Sequence, residues 1–128
     1  MSAELNTLVW VLALQLLMWV PYILNLIMVR GLVDAVGYPD NPKPMAGWAQ
    51  RMKAAHYNAV ENLVVFVALV LVAHVAGISN GTTELACTVY LWARVAHLLS
   101  YTFAIPWART LTFAVSWAAM VAMVIQLL

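Results

Sequence analysis

Four long apolar stretches, separated by polar segments, run along the chain. Residues 5–29 contain no charged side chain, and at 1.5 Å per residue this length crosses about 30 Å of hydrocarbon. Further apolar runs extend from about His56 to Ile78, from about Leu85 to Phe103, and from Thr110 to Leu128. The pattern predicts an all-α fold, an integral membrane four-helix bundle that forms a single domain over residues 1–128.

The segments between these runs have the composition of loops. Residues 30–53 hold three of the five prolines, and residues 79–83 form a short polar turn. A junction at residues 105–109 precedes the last span. Pro21 lies inside the first span, and it predicts a kinked helix with a buried proline.

Basic residues collect at one end of the predicted bundle. They are Arg30, Lys43, Arg51, Lys53 and Arg109. The turn after the second span carries only Glu84. Positive-inside counting therefore predicts a multi-pass protein with both termini outside and the basic loops in the cytoplasm.

Composition supports a membrane protein and excludes several other classes. The chain is 66% hydrophobic and 9% charged, with a mean hydropathy of +0.91, so a soluble domain of this size would lack polar surface to cover itself. A net charge of +1 argues against a nucleic-acid partner. The single cysteine, Cys87, excludes an intramolecular disulfide, and we expect no metal site.

Polar side chains nevertheless form three stripes inside the predicted spans, where ionisable groups are costly and usually face a protein interior or a cavity. The stripes are Arg51, Asn58 and Asn62 with Glu61 at their edge; Tyr90, Arg94, His97 and Tyr101; and Arg109, Thr112 and Ser116. His74 stands apart from them, and we interpret it as a packing or interfacial residue.

Two interpretations of the stripes are open. In the first, Glu61 and Arg94 form an interhelical ion pair, the amides pack helices together, and the tyrosines anchor the interface. In the second, the stripes bind a small zwitterionic ligand with more than one carboxylate. Arginine would bind the carboxylates, Glu61 an ammonium, and Asn58 and Asn62 amides. Because all three stripes lie toward the basic end, we favour the ligand site.

Two stretches resemble a known family, the membrane-associated proteins in eicosanoid and glutathione metabolism (MAPEG). Residues 51–62, RMKAAHYNAVEN, are similar to the family's second-helix signature of Arg, then Ala-His, then Asn-x-x-Glu. Residues 94–101, RVAHLLSY, followed by PWAR at 106–109, are similar to its third-helix stripe and fourth-helix arginine. The resemblance is specific from Arg51 to Phe113, roughly half of the chain.

The resemblance implies a homotrimer that binds glutathione, as a co-substrate, between neighbouring subunits near the cytoplasmic face. It implies a transferase or peroxidase that acts on a lipophilic small molecule dissolved in membrane lipids. The implied catalytic residues are Arg109, which would stabilise the glutathione thiolate, and Tyr101, which could donate a hydrogen bond to the sulfur. The candidate glutathione-binding residues are Arg30, Arg51, Lys53, Asn58, Glu61, Asn62, Arg94, His97 and Tyr101.

Departures from the family pattern keep other functions open. Ala54 stands where catalytic members usually have an arginine, and Asn41 stands in place of an aspartate discussed as catalytic. These changes resemble the bacterial-type members, whose substrates are broadly unassigned. A non-enzymatic lipid-binding scaffold of the same fold is the first alternative. A small transporter that uses Glu61 is the second.

Overall fold

The computed structural model describes all residues, 1–128, and contains five α-helices and no strand. They are α1 (Ala3–Arg30), α2 (Leu32–Val36), α3 (Gly47–Ala76), α4 (Gly81–Thr102) and α5 (Ala108–Leu127). The predicted all-α membrane bundle of four long helices is confirmed, and α2 is an additional short turn of helix in the first loop.

Three of the long helices, α1, α3 and α5, are long and apolar enough to cross a membrane. The fourth, α4, has 22 residues but includes Glu84, Arg94 and His97, which lower its hydropathy. Its crossing of the membrane therefore stays a prediction.

The helix α3 begins earlier than its apolar sequence does. The predicted loop to Lys53 is too long, because α3 already begins at Gly47, shortly after Pro44. The first turns contain Gln50 and Arg51, residues with good helix propensity that lack the hydropathy of a membrane span. The helix therefore extends beyond the apolar run at its N-terminal end, and Arg51 and Lys53 are both part of α3.

The turn between α3 and α4 is defined by local backbone chemistry. Gly77 adopts a left-handed φ of 70°, and its N–H donates to the carbonyls of Ala73 and His74 at the end of α3. Asn80 caps α4: its side chain accepts from the N–H groups of Thr82 and Thr83. This cap starts α4 at Gly81, before the predicted Leu85.

The apolar core lies in the half of the bundle near this turn. Phe66 of α3 stacks on Tyr90 of α4 with ring centroids 3.8 Å apart, and both are buried with Val11 and Met123. In lipid such packing stabilises through close contact rather than through exclusion of water.

A buried carboxylate joins α1 to the same turn. Glu4 is buried and accepts hydrogen bonds from the hydroxyls of Thr83 and Ser79, the latter at 3.0 and 3.1 Å. Glu4 is in the first turn of α1 and also lies beside the first turn of α4, so its charge complements two helix N-termini. We refer to Glu4, Ser79 and Thr83 as the Glu4 clip.

The prediction that Pro21 is buried is wrong. The helix α1 continues through Pro21, which is exposed, whereas its neighbours Met18, Tyr22 and Asn25 face the bundle. The proline lies about 100° from Tyr22 on the helix, and this rotation places it on the outer face.

Candidate functional site

Arg94 is the centre of the polar cluster. It is only 3% exposed, and its guanidinium joins three helices. Nη2 donates to Oδ1 of Asn58 on α3 at 2.7 Å and to Nδ1 of His97 on α4 at 3.4 Å, and Nη1 donates to Oγ of Ser116 on α5 at 3.3 Å. The three polar stripes therefore meet at one side chain.

The charge of Arg94 has no counter-ion within the chain. Its three partners are an amide, an imidazole and a hydroxyl, and its buried Nε has no partner. Glu61 is exposed at the edge of the Asn58 stripe on α3 and does not pair with Arg94. The interpretation of Glu61 and Arg94 as an ion pair is thus wrong within one chain, and the interior carries an uncompensated cation.

Tyr101 and Arg109 form a second contact beside this cluster. The guanidinium carbon of Arg109 lies 4.7 Å from the centroid of the Tyr101 ring, a cation–π distance. The His97 ring packs edge-on against Tyr101 with centroids 5.7 Å apart. Because His97 also contacts Arg94, the two arginines are connected through two aromatic rings.

Two cavities are lined by both Tyr101 and Arg109. The first, which we call the Asn58 cavity, has a volume of about 370 Å³ and is lined by Asn58, His97, Tyr101, Arg109, Thr110 and Phe113. The second, which we call the Arg51 cavity, has a volume of about 250 Å³. Its lining includes Arg51, Ser100, Tyr101, Trp107, Arg109 and Thr110. Neither cavity is lined by an acidic residue.

Two further candidates support this region from α3. Arg51 is tied to the end of α4, since its Nε donates to the carbonyl of Thr102 at 3.0 Å. Asn62 donates from Nδ2 to the Asn58 carbonyl at 2.8 Å, a bond within α3. Arg51 thus lines a cavity itself, whereas Asn62 lies next to a lining residue.

Three candidates lie away from both cavities in the single chain. Arg30 donates from Nε to the Lys43 carbonyl at 2.7 Å, which ties the end of α1 to the loop. The Nζ of Lys53 lies 5.6 Å from the Tyr57 ring centroid. Glu61 is exposed on the same outer face of α3 as Tyr57. His74 is exposed and is also remote from the cluster.

The structure adds residues that the sequence stripes missed. Thr110 and Phe113 line the Asn58 cavity, although only the stripe containing Arg109 was singled out on this helix. The position of Phe113 four residues after Arg109 was an available signal, whereas helical spacing gives none for Thr110. By contrast, the 2.7 Å hydrogen bond between the Tyr22 hydroxyl and His56 Nδ1 joins α1 to α3, and no pattern within either helix indicates it.

The helices and their buried polar cluster define a membrane bundle with an internal, positively charged site. A family model described as MAPEG family matches residues 7–128, so the chain belongs to the MAPEG family. This confirms the resemblance and extends it to nearly the whole chain. The family includes glutathione-dependent transferases and peroxidases as well as non-enzymatic members. No curated protein and no solved structure matches the chain at a significant level.

Proposed function

We propose that the protein is a membrane-embedded, glutathione-dependent transferase or peroxidase acting on lipophilic electrophiles. The observation that carries this proposal is the uncompensated charge of Arg94, which lies behind Asn58 and His97 in the wall of a cavity that Arg109 lines and that has no acidic side chain. A buried cation without a counter-ion favours an anionic ligand. Glutathione offers two carboxylates, one ammonium and a thiol.

Arg94 acts on this ligand mainly through its neighbours. Arg94 does not line the Asn58 cavity itself. It hydrogen-bonds to Asn58 and His97, and both of these residues line the cavity. With Oδ1 of Asn58 accepting from Arg94, the side-chain amide nitrogen is the group left to donate to a peptide or carboxylate oxygen. Arg94 is therefore proposed as a positioning residue that also makes the cavity more positive.

Arg109 is the proposed catalytic cation. A free thiol has a pKa of about 8.5, and a neighbouring guanidinium stabilises the thiolate. Arg109 lines the Asn58 cavity, so its positive charge would lie near the sulfur of bound glutathione. Tyr101 lines the same cavity, and its hydroxyl would donate a hydrogen bond to that sulfur. The thiolate would attack an electrophilic carbon, form a C–S bond and transfer an electron pair to the departing group. An electrophile dissolved in the bilayer would enter between helices.

We further propose that the working unit is a homotrimer, each subunit a single four-span domain with both termini outside. Glu61 supports this proposal, because an exposed carboxylate on a membrane-facing helix is costly unless a protein surface covers it. Glu61, Lys53 and Arg30, which lie away from the cavities of their own chain, would then contact glutathione bound to a neighbouring subunit.

The proposal is tested by isothermal titration of glutathione into the detergent-purified protein. We expect micromolar-to-millimolar binding that is lost in Arg94→Ala and retained in His74→Ala. The latter removes an exposed polar side chain of α3 far from the cluster. Circular dichroism melting of each variant shows that it is folded. Because Arg94 joins three helices, Asn58→Ala serves as a milder second variant.

The absence of binding to folded wild type would refute glutathione as the ligand. In that case Ala54 would mark a lost carboxylate contact, and the lipid-binding scaffold would become the better proposal. Titration with a fatty acid would then test the scaffold. Proton-coupled efflux that depends on Glu61 would instead favour a transporter.

A further inference from the structure

We infer that the Arg51 cavity binds the phosphate headgroup of an anionic phospholipid. This site goes beyond the proposed glutathione pocket and does not depend on it, although Tyr101, Arg109 and Thr110 line both cavities. Four features carry the inference: the charges at the cavity, their free hydrogen-bond donors, the position of the cavity in the bundle, and its apolar lining residues.

The charges and donors suit a phosphate. Arg51 and Arg109 both line the cavity together with the hydroxyl residues Ser100 and Thr110, and no acidic residue is present. The one hydrogen bond of the Arg51 side chain is made by Nε to Thr102, which leaves both Nη groups available. The guanidinium of Arg109 lies over the face of Tyr101 and makes no hydrogen bond within the chain. Two guanidinium groups with free donors are a typical phosphate-binding set.

The cavity lies at one end of the bundle, where we expect the lipid headgroups. It is formed where α3 begins, where α4 ends and where α5 begins. The ends of membrane-spanning helices lie in the headgroup region, and basic pockets between helices at that level bind anionic lipid headgroups. This end also carries most of the basic residues of the chain.

The size and apolar lining residues of the cavity distinguish a phospholipid from a soluble anion. About 250 Å³ is below the roughly 300–1,000 Å³ of pockets that enclose a whole drug-sized molecule, so the cavity accepts a headgroup and leaves acyl chains outside. The apolar lining residues Trp107 and Ile105 are exposed over 81% and 50% of their surfaces. Such side chains pack against acyl chains at the interface.

Native mass spectrometry of the detergent-purified full chain tests this inference. The probes are phosphatidylglycerol, phosphatidylcholine with the same acyl chains, and glycerol phosphate, all without glutathione. We expect wild type to retain phosphatidylglycerol in preference to both other probes. Arg51→Gln should weaken that retention roughly tenfold, equivalent to about 1.4 kcal/mol.

The matched control is Lys43→Gln, which removes one positive charge from the same end but outside the cavity. We expect it to change retention by less than about twofold in salt that screens exposed charges. Arg51→Lys is a second variant, which separates loss of binding from loss of folding. It keeps the positive charge but loses the guanidinium fork, and we expect it to weaken phosphatidylglycerol retention as well. Trp107→Ala should weaken phosphatidylglycerol retention without changing glycerol phosphate binding.

Three results would overturn the inference. Equal losses in Arg51→Gln and Lys43→Gln would mean general surface attraction. Equal retention of phosphatidylcholine would mean that the phosphate charge is not recognised. Glycerol phosphate binding as tightly as phosphatidylglycerol would assign the cavity to a soluble anion. All three lipid measurements are made without glutathione, so a failed glutathione titration would not change them. The phospholipid site and the glutathione function can therefore be refuted independently.

Discussion

The bond between Asn58 and Arg94 is expected to couple α3 to α4 energetically. Asn58→Ala removes the 2.7 Å acceptor and leaves Nη2 of Arg94 with only the 3.4 Å contact to His97. Hydrogen bonds to charged groups contribute about 1.5–3 kcal/mol in soluble proteins, whereas interhelical bonds in membranes average about 0.6 and reach about 1.7 kcal/mol. Because this bond is short, charged and partly buried, we expect a coupling free energy of about 1–2 kcal/mol.

The assay is a double-mutant cycle of Asn58→Ala and Arg94→Ala, with the free energy of unfolding measured by denaturant titration in mixed micelles. Asn62→Ala is the matched control. It removes the same side chain one turn later, but its short bond is made to the backbone of α3. A coupling below about 0.3 kcal/mol, or equal destabilisation by Asn62→Ala, would refute the role of Arg94 as the junction of the helices.

Three further predictions follow from other contacts. Arg109→Ala should abolish the ultraviolet thiolate absorbance of bound glutathione and slow turnover, with Arg109→Lys intermediate; unchanged turnover would remove Arg109 from the mechanism. Glu4→Ala should destabilise the protein by about 1–2 kcal/mol in thermal melts by breaking the Glu4 clip, whereas exposed Glu84→Ala should cost less. Trp107 has a φ of 66°, so Trp107→Gly should be about 1 kcal/mol more stable than Trp107→Ala; equal stabilities would show that this backbone is unstrained.

The number and class of helices were predictable because membrane spans require long apolar runs. Hydropathy reports where the chain can contact hydrocarbon, and it does not report where a helix stops. This explains why α3 begins at Gly47 rather than near His56. The orientation of Pro21 was missed for a related reason, since burial depends on neighbouring helices and not on residue type alone.

The candidate site was predictable as a set of helical faces but not as a set of contacts. Periodicity placed Asn58, Arg94 and Ser116 on three faces, and the structure joins them. Glu61 was placed at the edge of the α3 stripe, but the 60° between it and Asn58 on the helix is enough to direct it outward. Whether another subunit covers Glu61 cannot be read from periodicity within one chain.

The position of Arg94 on the least apolar long helix has a consequence for biogenesis. An arginine at the centre of an inserting helix costs about 2.5–3.5 kcal/mol at the translocon. During synthesis, Asn58 on α3 is already present when α4 emerges, whereas Ser116 on α5 has not yet been made. We therefore expect α4 to enter the bilayer alongside α3 rather than alone, and its insertion to become less efficient when Asn58 is replaced by an apolar residue.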